Sequence, residues 1–201
     1  GDSFHFYTAV ETVGDLAVAM KRYGQADKLY ATLAKSPFPS LKVRALVRSG
    51  VARQAGGDHA AAIKRFDQAL KLGARAEGAS GEVLACRLGK AESLAATGRL
   101  NEAVASIAGV LSSLGEEDSE GNATAYNTLG RCYTAAGRSQ DALFAYLHTD
   151  LLFDQAAETH AEALARLAKL WREAGKPDAG RDAAERLRRA YPTTRWARGA
   201  G

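Results

Sequence analysis

The sequence has few cysteines, few prolines and few aromatic residues. Its 201 residues include two cysteines and four prolines, and aromatic residues make up 7%. Two cysteines do not make a disulfide framework, and both Cys86 and Cys132 fall within apolar helical patterns that predict small buried side chains. No apolar run approaches the roughly 18 residues of a membrane-spanning helix, and no signal peptide is recognisable. Without a disulfide framework or a membrane-spanning run, the sequence is expected to form an ordinary globular protein.

Alanine and leucine supply most of the apolar residues that are present. The chain is 46% hydrophobic and 25% charged, which argues against disorder. Alanine has the highest helix propensity and lets two helix backbones approach closely, so this composition favours tightly paired helices. The net charge is +4, but the 27 basic and 23 acidic residues are interspersed. The charge alone therefore does not indicate nucleic-acid binding.

Five segments of the chain share one pattern of small and bulky residues. Each has a small residue early in an amphipathic stretch, at separations of 36, 41, 39 and 38: Ala26, Ala62, Ala103, Ala142 and Gly180. Twelve residues earlier stands another small residue: Gly14, Gly50, Ala91, Gly130 and Ala168. Four residues later the residue is mostly bulky: Tyr30, Phe66, Ile107, Tyr146 and Ala184. Two crossing helices need small residues at their contact and a large side chain to fill the adjoining gap, so the pattern predicts five antiparallel helix pairs.

The spacing of these positions predicts the bounds of the helices. The first helices are expected near 6–21, 42–55, 82–97, 122–136 and 159–174. The second helices are expected near 24–35, 58–72, 100–114, 139–153 and 177–190. The connections are short and rich in proline, glycine and charge, and none of them resembles a domain linker. We therefore expect a single domain over 1–201, with repeats near 6–41, 42–81, 82–121, 122–158 and 159–192 and a tail over 193–201.

These residues resemble the tetratricopeptide repeat family over roughly 6–192. The fourth repeat is the clearest, with the helix-pair signature at Tyr126, Leu129, Gly130, Tyr133, Gly137, Ala142 and Tyr146. The fifth ends in Tyr191 and Pro192, as the family often closes its second helix. The third repeat departs from the pattern at Ala91 and Ile107, and the fifth at Gly180 and Ala184. The resemblance implies an all-α fold, a right-handed α-α superhelix of about five helix pairs.

No catalytic or cofactor-binding motif is present in the sequence. The cluster of His148, Asp150, Asp154 and His160 does not have the spacing of a known metal-ligand motif. The glycines within predicted helices follow no strand, so they do not form a phosphate-binding loop. We expect a protein that is not an enzyme and that uses no cofactor, no metal and no small-molecule substrate.

The resemblance places the first helices on a concave face, where members of the family bind peptides or partner proteins. The inward positions carry polar residues in several repeats, and the partner-binding set is expected to be Arg44, Arg48, Glu92, Asn127, Arg131, Arg166, Lys169 and Arg172. Arginine and lysine pair well with carboxylates, so an acidic segment or a terminal carboxylate is the expected ligand. A merely solvated helix face is the alternative interpretation.

The C-terminal segment suggests a compartment and two alternative functions. Its order of Tyr191-Pro192 followed by Trp196-Ala197 is similar to the last repeats of bacterial cell-envelope repeat proteins, which leaves the envelope or the cytoplasm as locations. The start at Gly1, without methionine, suits an accessory domain of a larger envelope or signalling protein. The basic run from Arg181 to Arg198 suits nucleic-acid binding, which would be strongly salt-dependent.

Overall fold

The computed structural model describes residues 2–74 and 80–199, and this part of the chain contains eleven α-helices and no strand. Five are the first helices of the repeats: α1 (Asp2–Ala19), α3 (Pro39–Ala55), α5 (Ser80–Ala96), α7 (Ser119–Ala135) and α9 (Ala157–Glu173). Five are the second helices: α2 (Tyr23–Leu33), α4 (His59–Gly73), α6 (Leu100–Leu111), α8 (Ser139–Leu152) and α10 (Pro177–Ala190). The predicted all-α, tetratricopeptide-like fold class is confirmed. A short additional helix, α11 (Arg195–Arg198), follows them.

A residue with a left-handed backbone conformation follows the first helix of every repeat. Gly57, Gly98, Gly137 and Gly175 have φ between 73° and 83°, in the left-handed region. Glycine adopts this region at no steric cost, which lets the chain reverse within a few residues. Lys21 occupies the same place in the first repeat, with φ of 58°. The first repeat therefore makes the same turn with a residue that is strained there.

The chain divides into two compact units, Gly1–Arg99 and Leu100–Gly201. The first contains α1 to α5 and the second α6 to α11, so the third predicted helix pair is divided between them. The assignment of one domain to 1–201 stays a prediction. No helix of the described residues is long and apolar enough to cross a membrane.

The core of the first unit is built on the predicted small and bulky positions. Tyr30 and Phe66 are buried among alanines, and each ring lies against a glycine of the preceding helix. A β-carbon on Gly14 would come within 2.6 Å of Tyr30, and one on Gly50 within 2.6 Å of Phe66. The Phe66 ring also contacts Gly89 in α5, so it fills the space between two helix pairs. Glycine at these crossings is therefore a packing requirement.

The second unit repeats this arrangement in α7 to α10. Gly130 lies against the Tyr146 ring, with 2.6 Å between an added β-carbon and the ring. In the fifth repeat, Gly180 takes the place of alanine and lies against the backbone of Ala168, 2.9 Å from an added β-carbon to the carbonyl oxygen. That close approach explains why the fifth repeat has the smallest residue at this position. Leu187, Leu164 and Ala161 form a further buried cluster that Trp196 packs against.

Candidate partner-binding surface

In the first unit, the predicted arginines of α3 are paired with acidic residues of α1. Arg48 Nε lies 2.8 Å from Glu11 Oε1, and Arg48 Nη1 lies 2.6 Å from Asp15 Oδ1. Arg44 Nε lies 3.6 Å from Glu11 Oε1. Asp15 also accepts a hydrogen bond of 2.6 Å from the hydroxyl of Tyr30. The charges of Arg44 and Arg48 are thus neutralised within the unit.

Glu92 of α5 also has a partner within the first unit. The side-chain amide of Gln54 in α3 donates a hydrogen bond of 2.7 Å to Glu92 Oε2. This contact joins the two helices through their polar faces. It uses one oxygen of the only acidic residue in the predicted partner-binding set.

Asn127 of α7 is buried and joins three helices of the second unit. Its Nδ2 donates to the carbonyl oxygen of Thr159 at 2.8 Å, and its Oδ1 accepts from the hydroxyl of Thr149 at 2.8 Å. Its side chain is 0% exposed, so it lies behind the surface rather than on it. Asn127 satisfies buried polar groups that would otherwise cost free energy.

Arg131 and Arg166 share one carboxylate. Arg131 Nη1 donates to Glu162 Oε2 at 2.8 Å, and Arg166 Nη2 lies 3.5 Å from Glu162 Oε1. Arg131 also donates to the Thr128 hydroxyl at 2.9 Å. The second contact of Glu162 is too long for an ordinary hydrogen bond, so Arg166 is held less firmly than Arg131.

A basic cavity of about 410 Å³ lies between α9 and α11 in the second unit. Its lining residues are Ala165, Arg166, Lys169, Arg172, Arg195, Trp196 and Gly199. The first three cations come from one face of α9, and Arg195 comes from α11. The lining contains four cations and no carboxylate. A site of this composition attracts anionic groups.

The carboxylates near this basic cavity only loosely neutralise its cations. Lys169 Nζ lies 3.7 Å from Glu173, and Arg195 Nε lies 3.6 Å from Glu158, both beyond ordinary hydrogen-bond length. Lys169 is 67% exposed and Arg195 is 73% exposed as side chains, so water screens both pairs. An anionic ligand would compete with exposed ion pairs that contribute little free energy.

Trp196 forms the apolar wall of the basic cavity. The guanidinium carbon of Arg195 lies 4.5 Å from the ring centroid, and that of Arg166 lies 5.4 Å from it. The indole Nε1 donates to Glu158 Oε1 at 2.9 Å, which fixes the ring. The ring packs against the buried cluster under the last repeat. It therefore holds two cations over its faces while closing the end of the second unit.

The structure brings three of the eight predicted residues into one site. Arg166, Lys169 and Arg172 line the basic cavity, while the other five lie in the contacts described above. Arg195 and Trp196 were missing from the predicted set. The sequence did signal them, because both stand in the basic, aromatic tail after Pro192. Their contribution depends on the tail folding back over α9, which the repeat pattern does not encode.

Two residues of the His-Asp cluster, Asp150 and His160, form a buried polar network, whereas His148 and Asp154 are exposed. His160 Nε2 lies 2.8 Å from Asp150 Oδ1, and its Nδ1 lies 2.7 Å from the hydroxyl of Tyr191. Arg186 donates to both oxygens of Asp150, at 2.5 and 3.0 Å. Burial raises the pKa of the Asp150 carboxyl, but hydrogen bonds from His160 and Arg186 outweigh it and hold the pKa below its usual range. Among the described residues no group of three or more His, Cys, Asp and Glu could hold a metal ion.

The cysteines are buried in helix contacts. The Cys86 thiol donates to the carbonyl oxygen of Phe66 at 3.1 Å. Burial raises the pKa of the Cys86 thiol to about 12, so it is protonated at neutral pH and unreactive as a nucleophile. Cys132 is also buried, at 1% exposure. Both occupy the small buried positions that the helical pattern predicts.

Comparison with known proteins finds a match to a family model. The sequence model of the tetratricopeptide repeat matches residues 44–72 and 162–194. No curated protein is significantly similar in sequence to the chain. The first match covers most of α3 and α4, and the second covers most of α9 and all of α10. Both matched segments are helix pairs of the structure.

Solved structures of two Rap proteins and of NprR share the fold. A Rap protein complexed with competence and sporulation factor has a TM-score of 0.79 and 17% identity, over 92% of this chain and 54% of that one. The Rap conjugation gene regulator of the plasmid pLS20, in complex with a Phr peptide, has a TM-score of 0.79 and 17% identity, over 99% of this chain and 57% of that one. NprR in complex with its cognate peptide NprX has a TM-score of 0.71 and 16% identity, over 98% of this chain and 59% of that one. The chain spans just over half the length of these structures.

The identities are low, so these structures show the shared fold alone. The sequence model matches the second and fifth repeats, at the positions where the small and bulky residues recur. The two matched segments resemble tetratricopeptide repeats, and the helix pairs of both units share the fold of tetratricopeptide-like structures.

Proposed function

We propose that this chain is a non-enzymatic protein-interaction scaffold and that the basic cavity between α9 and α11 receives an acidic peptide segment. The observation that carries the proposal is the lining of this cavity: four cations beside one indole ring, with no carboxylate among the lining residues. Guanidinium groups bind carboxylates through paired hydrogen bonds, and the indole offers a surface for an apolar side chain next to the acid. A peptide supplies both groups.

The size of the basic cavity fits one or two side chains rather than a folded domain. Its volume of about 410 Å³ is at the lower end of the range for ligand pockets. The remainder of a bound peptide would lie along α9, where Arg131 of α7 and Arg166 of α9 present their guanidinium groups around Glu162. The two partners of Glu162 are thus expected to extend the binding surface beyond the cavity.

The structurally similar proteins support this proposal at the level of ligand class. One Rap structure contains a Phr peptide, another contains competence and sporulation factor, and NprR is in complex with its cognate peptide. They share the helix-pair fold with this chain, but their low identity carries no ligand-contacting residue over to it. The choice of an acidic peptide therefore rests on the charges of the basic cavity, and the location of the protein in the envelope or cytoplasm stays a prediction.

Binding of a defined acidic peptide tests the proposal. The probe is a fluorescein-labelled hexaglutamate with a free C-terminal carboxylate, titrated by fluorescence anisotropy against the full chain. Arg166→Glu and Arg172→Glu are each expected to weaken binding at least about tenfold, because each reverses a charge at the cavity wall. Arg181→Glu is the matched control, since Arg181 lies on α10 outside the cavity and pairs with Asp178.

The result that would overturn the proposal is equal binding by the wild type and both cavity variants. A preference for hexalysine would overturn it as well. Single-stranded DNA serves as a competitor in the same assay, because nucleic-acid binding is the alternative that the basic C-terminal run suggests. Arg186, which belongs to the basic C-terminal run, donates hydrogen bonds to Asp150. This pairing removes one cation from the exposed face of α10.

A further inference from the structure

The outward face of helix α8 is apolar, and no described residue covers it. Three residues recur at helical spacing along this face, and we call them the α8 row: Phe144, Leu147 and Leu151. Phe144 is 56% exposed and Leu151 is 73% exposed, whereas Leu147 is half-buried. The row follows the helix for about two turns, or about 10 Å. Large apolar side chains that are exposed together commonly mark a binding surface.

The other four repeats do not place bulky apolar residues on this face. Counted from the small residue of each second helix, the position of Phe144 is occupied elsewhere by Lys28, Lys64, Ala105 and Asp182, all of them exposed. The position of Leu151 is occupied by Lys35, Lys71, Ser112 and Arg189, which are exposed as well. The packing of the repeats therefore leaves this face in solvent and does not require apolar residues on it. A binding function of the fourth repeat explains the α8 row, because function is added to a repeat fold through a few surface residues.

A pocket of about 410 Å³ opens beside the α8 row, between α8 and the end of α9, and we call it the apolar pocket. Most of its apolar wall comes from Leu143, Phe144, Leu147, Leu170 and Trp171. Leu143 and Leu170 are buried in the core of the second unit, so the pocket is built on packed side chains. A volume of this size accommodates one or two bulky apolar side chains of a ligand.

The lining of the apolar pocket contains one lysine that has no acidic partner. Lys176 Nζ lies 5.0 Å from the centroid of the Trp171 ring, and no carboxylate within residues 2–74 and 80–199 forms an ion pair with it. The other charged residue of the lining is Glu173, which lies 3.7 Å from Lys169 Nζ. Glu173 thus has a cation as its partner, whereas Lys176 lacks a partner of opposite charge. A ligand with a carboxylate beside an apolar group complements this arrangement.

We propose that the α8 row and the apolar pocket bind an amphipathic α-helix of a partner protein. A bulky apolar residue of that helix fills the pocket, and an acidic residue next to it pairs with Lys176. Amphipathic helices bind grooves through apolar residues at the spacing i, i+3, i+4 and i+7, which matches the spacing of Phe144, Leu147 and Leu151. Two turns of such a helix cover the whole row.

The extent of the apolar surface favours a helix over a small molecule. Leu151 is the most exposed residue of the α8 row and does not line the apolar pocket, so a ligand confined to the pocket would leave it in water. A partner helix covers the pocket and the row together. This surface shares no lining residue with the basic cavity, so the proposal does not rest on peptide binding there.

The charges favour a different protein over a second copy of α8. The acidic residues of α8 are Asp141 and Asp150. Asp141 pairs with Arg138 at 2.7 Å, and Asp150 is buried in its network with His160. Neither carboxylate can pair with Lys176 of another copy in a contact between two α8 helices. A helix with an exposed acidic residue beside its apolar face supplies the missing charge.

Anisotropy titration of labelled helical peptides against the full chain tests this proposal. The probes are two fluorescein-labelled, lactam-bridged peptides of about four turns, with the same leucines on one face and either glutamate or lysine flanking them. The glutamate peptide should bind several-fold more tightly than the lysine peptide, and Lys176→Glu should reverse this preference. Phe144→Ala and Leu151→Ser should each weaken binding at least about fivefold, because each removes an apolar anchor. Leu72→Ser, at an exposed leucine of α4, is the matched control and should bind as the wild type does.

The third repeat carries Ala105 and Ser112 at the positions of Phe144 and Leu151, so both substitutions should leave the protein folded. Helical content and unfolding temperature check this. Equal binding by the wild type and Phe144→Ala would overturn the proposal, as would a wild type that binds neither peptide. Loss of glutamate-peptide binding in Arg172→Glu would place the peptide in the basic cavity and overturn it too. A wild-type dimer in sedimentation that Phe144→Ala dissociates would assign the α8 row to a second copy and overturn the partner helix.

Discussion

The α-carbon of Gly50 lies directly against the ring of Phe66. A β-carbon at position 50 would stand 2.6 Å from the Cε1 atom of Phe66, closer than a van der Waals contact allows. The ring is completely buried, and it also contacts the following helix pair at Gly89. Phe66 therefore cannot move away from Gly50 without disturbing its contact with α5. The same glycine–aromatic relationship recurs at Gly14 with Tyr30.

We expect Gly50→Ala to destabilise the protein by about 1–3 kcal/mol, the usual cost of overpacking a core. Gly109→Ala is the matched control. Gly109 lies in α6 with no atom near an added β-carbon, so alanine should be neutral or stabilise by up to about 1 kcal/mol. Urea unfolding followed by circular dichroism measures both. Equal stability of Gly50→Ala and the wild type would show that the helices are not this close.

At Lys21, whose backbone is left-handed, we expect a substitution that increases the stability of the protein. Its φ of 58° is strained for lysine, and the four equivalent positions in the later repeats are glycine. Lys21→Gly should raise the free energy of unfolding by about 0.5–1 kcal/mol, because relief of strain exceeds the added entropy of the unfolded chain. Thermal unfolding measures the change. Lys21→Ala serves as control, since it removes the charge but keeps the strain, and it should give no such gain.

The sequence was sufficient to predict the helix pairs because the two helices of each repeat cross at equivalent positions. A small residue at each crossing and, in four of the five repeats, a bulky residue four positions later recur at spacings that paired helices explain. The predicted helices end within a few residues of the observed ones, as the first helix of the second repeat shows: 42–55 predicted and Pro39–Ala55 observed. Helix α11 was not predicted, because four residues carry no periodicity.

The site was harder to predict because exposure and pairing depend on contacts between repeats. The register placed Asn127 on an inward face, yet its side chain fills a buried gap between three helices. Arg48 was assigned to the partner-binding set, yet Glu11 and Asp15 of the preceding first helix neutralise it. A single helix pattern gives the direction of a side chain but not what the neighbouring helix places opposite it.

The buried carboxyl of Asp150 makes stability depend on pH in the acid range. Its folded pKa lies below the usual value near 4, so its contribution is present above pH 4 and is lost as pH falls through the folded pKa. Asp150→Asn should cost about 3 kcal/mol at pH 7, since it removes the partner of Arg186 and His160.

The difference between the wild type and Asp150→Asn should shrink as the pH is lowered from 5 to 2.5. Urea unfolding at several pH values measures it. Asp178→Asn is the control, because Asp178 is an exposed acid on α10 and its removal should cost less than about 0.5 kcal/mol at every pH. A difference for Asp150→Asn that does not change with pH would contradict the assigned network.

Variants of Arg48 and Arg172 distinguish the predicted partner-binding residues that line the basic cavity from those that are paired within the first unit. Arg172 lines the basic cavity, whereas Arg48 already pairs with two carboxylates at 2.6 and 2.8 Å. Arg172→Gln should weaken hexaglutamate binding several-fold and lower its sensitivity to salt, because one ligand-facing charge is lost. Arg48→Gln should leave affinity and salt dependence unchanged and cost less than about 1 kcal/mol of stability. Equal loss of binding in both variants would show that the peptide also contacts the first unit and would contradict a site that lies in the second unit alone.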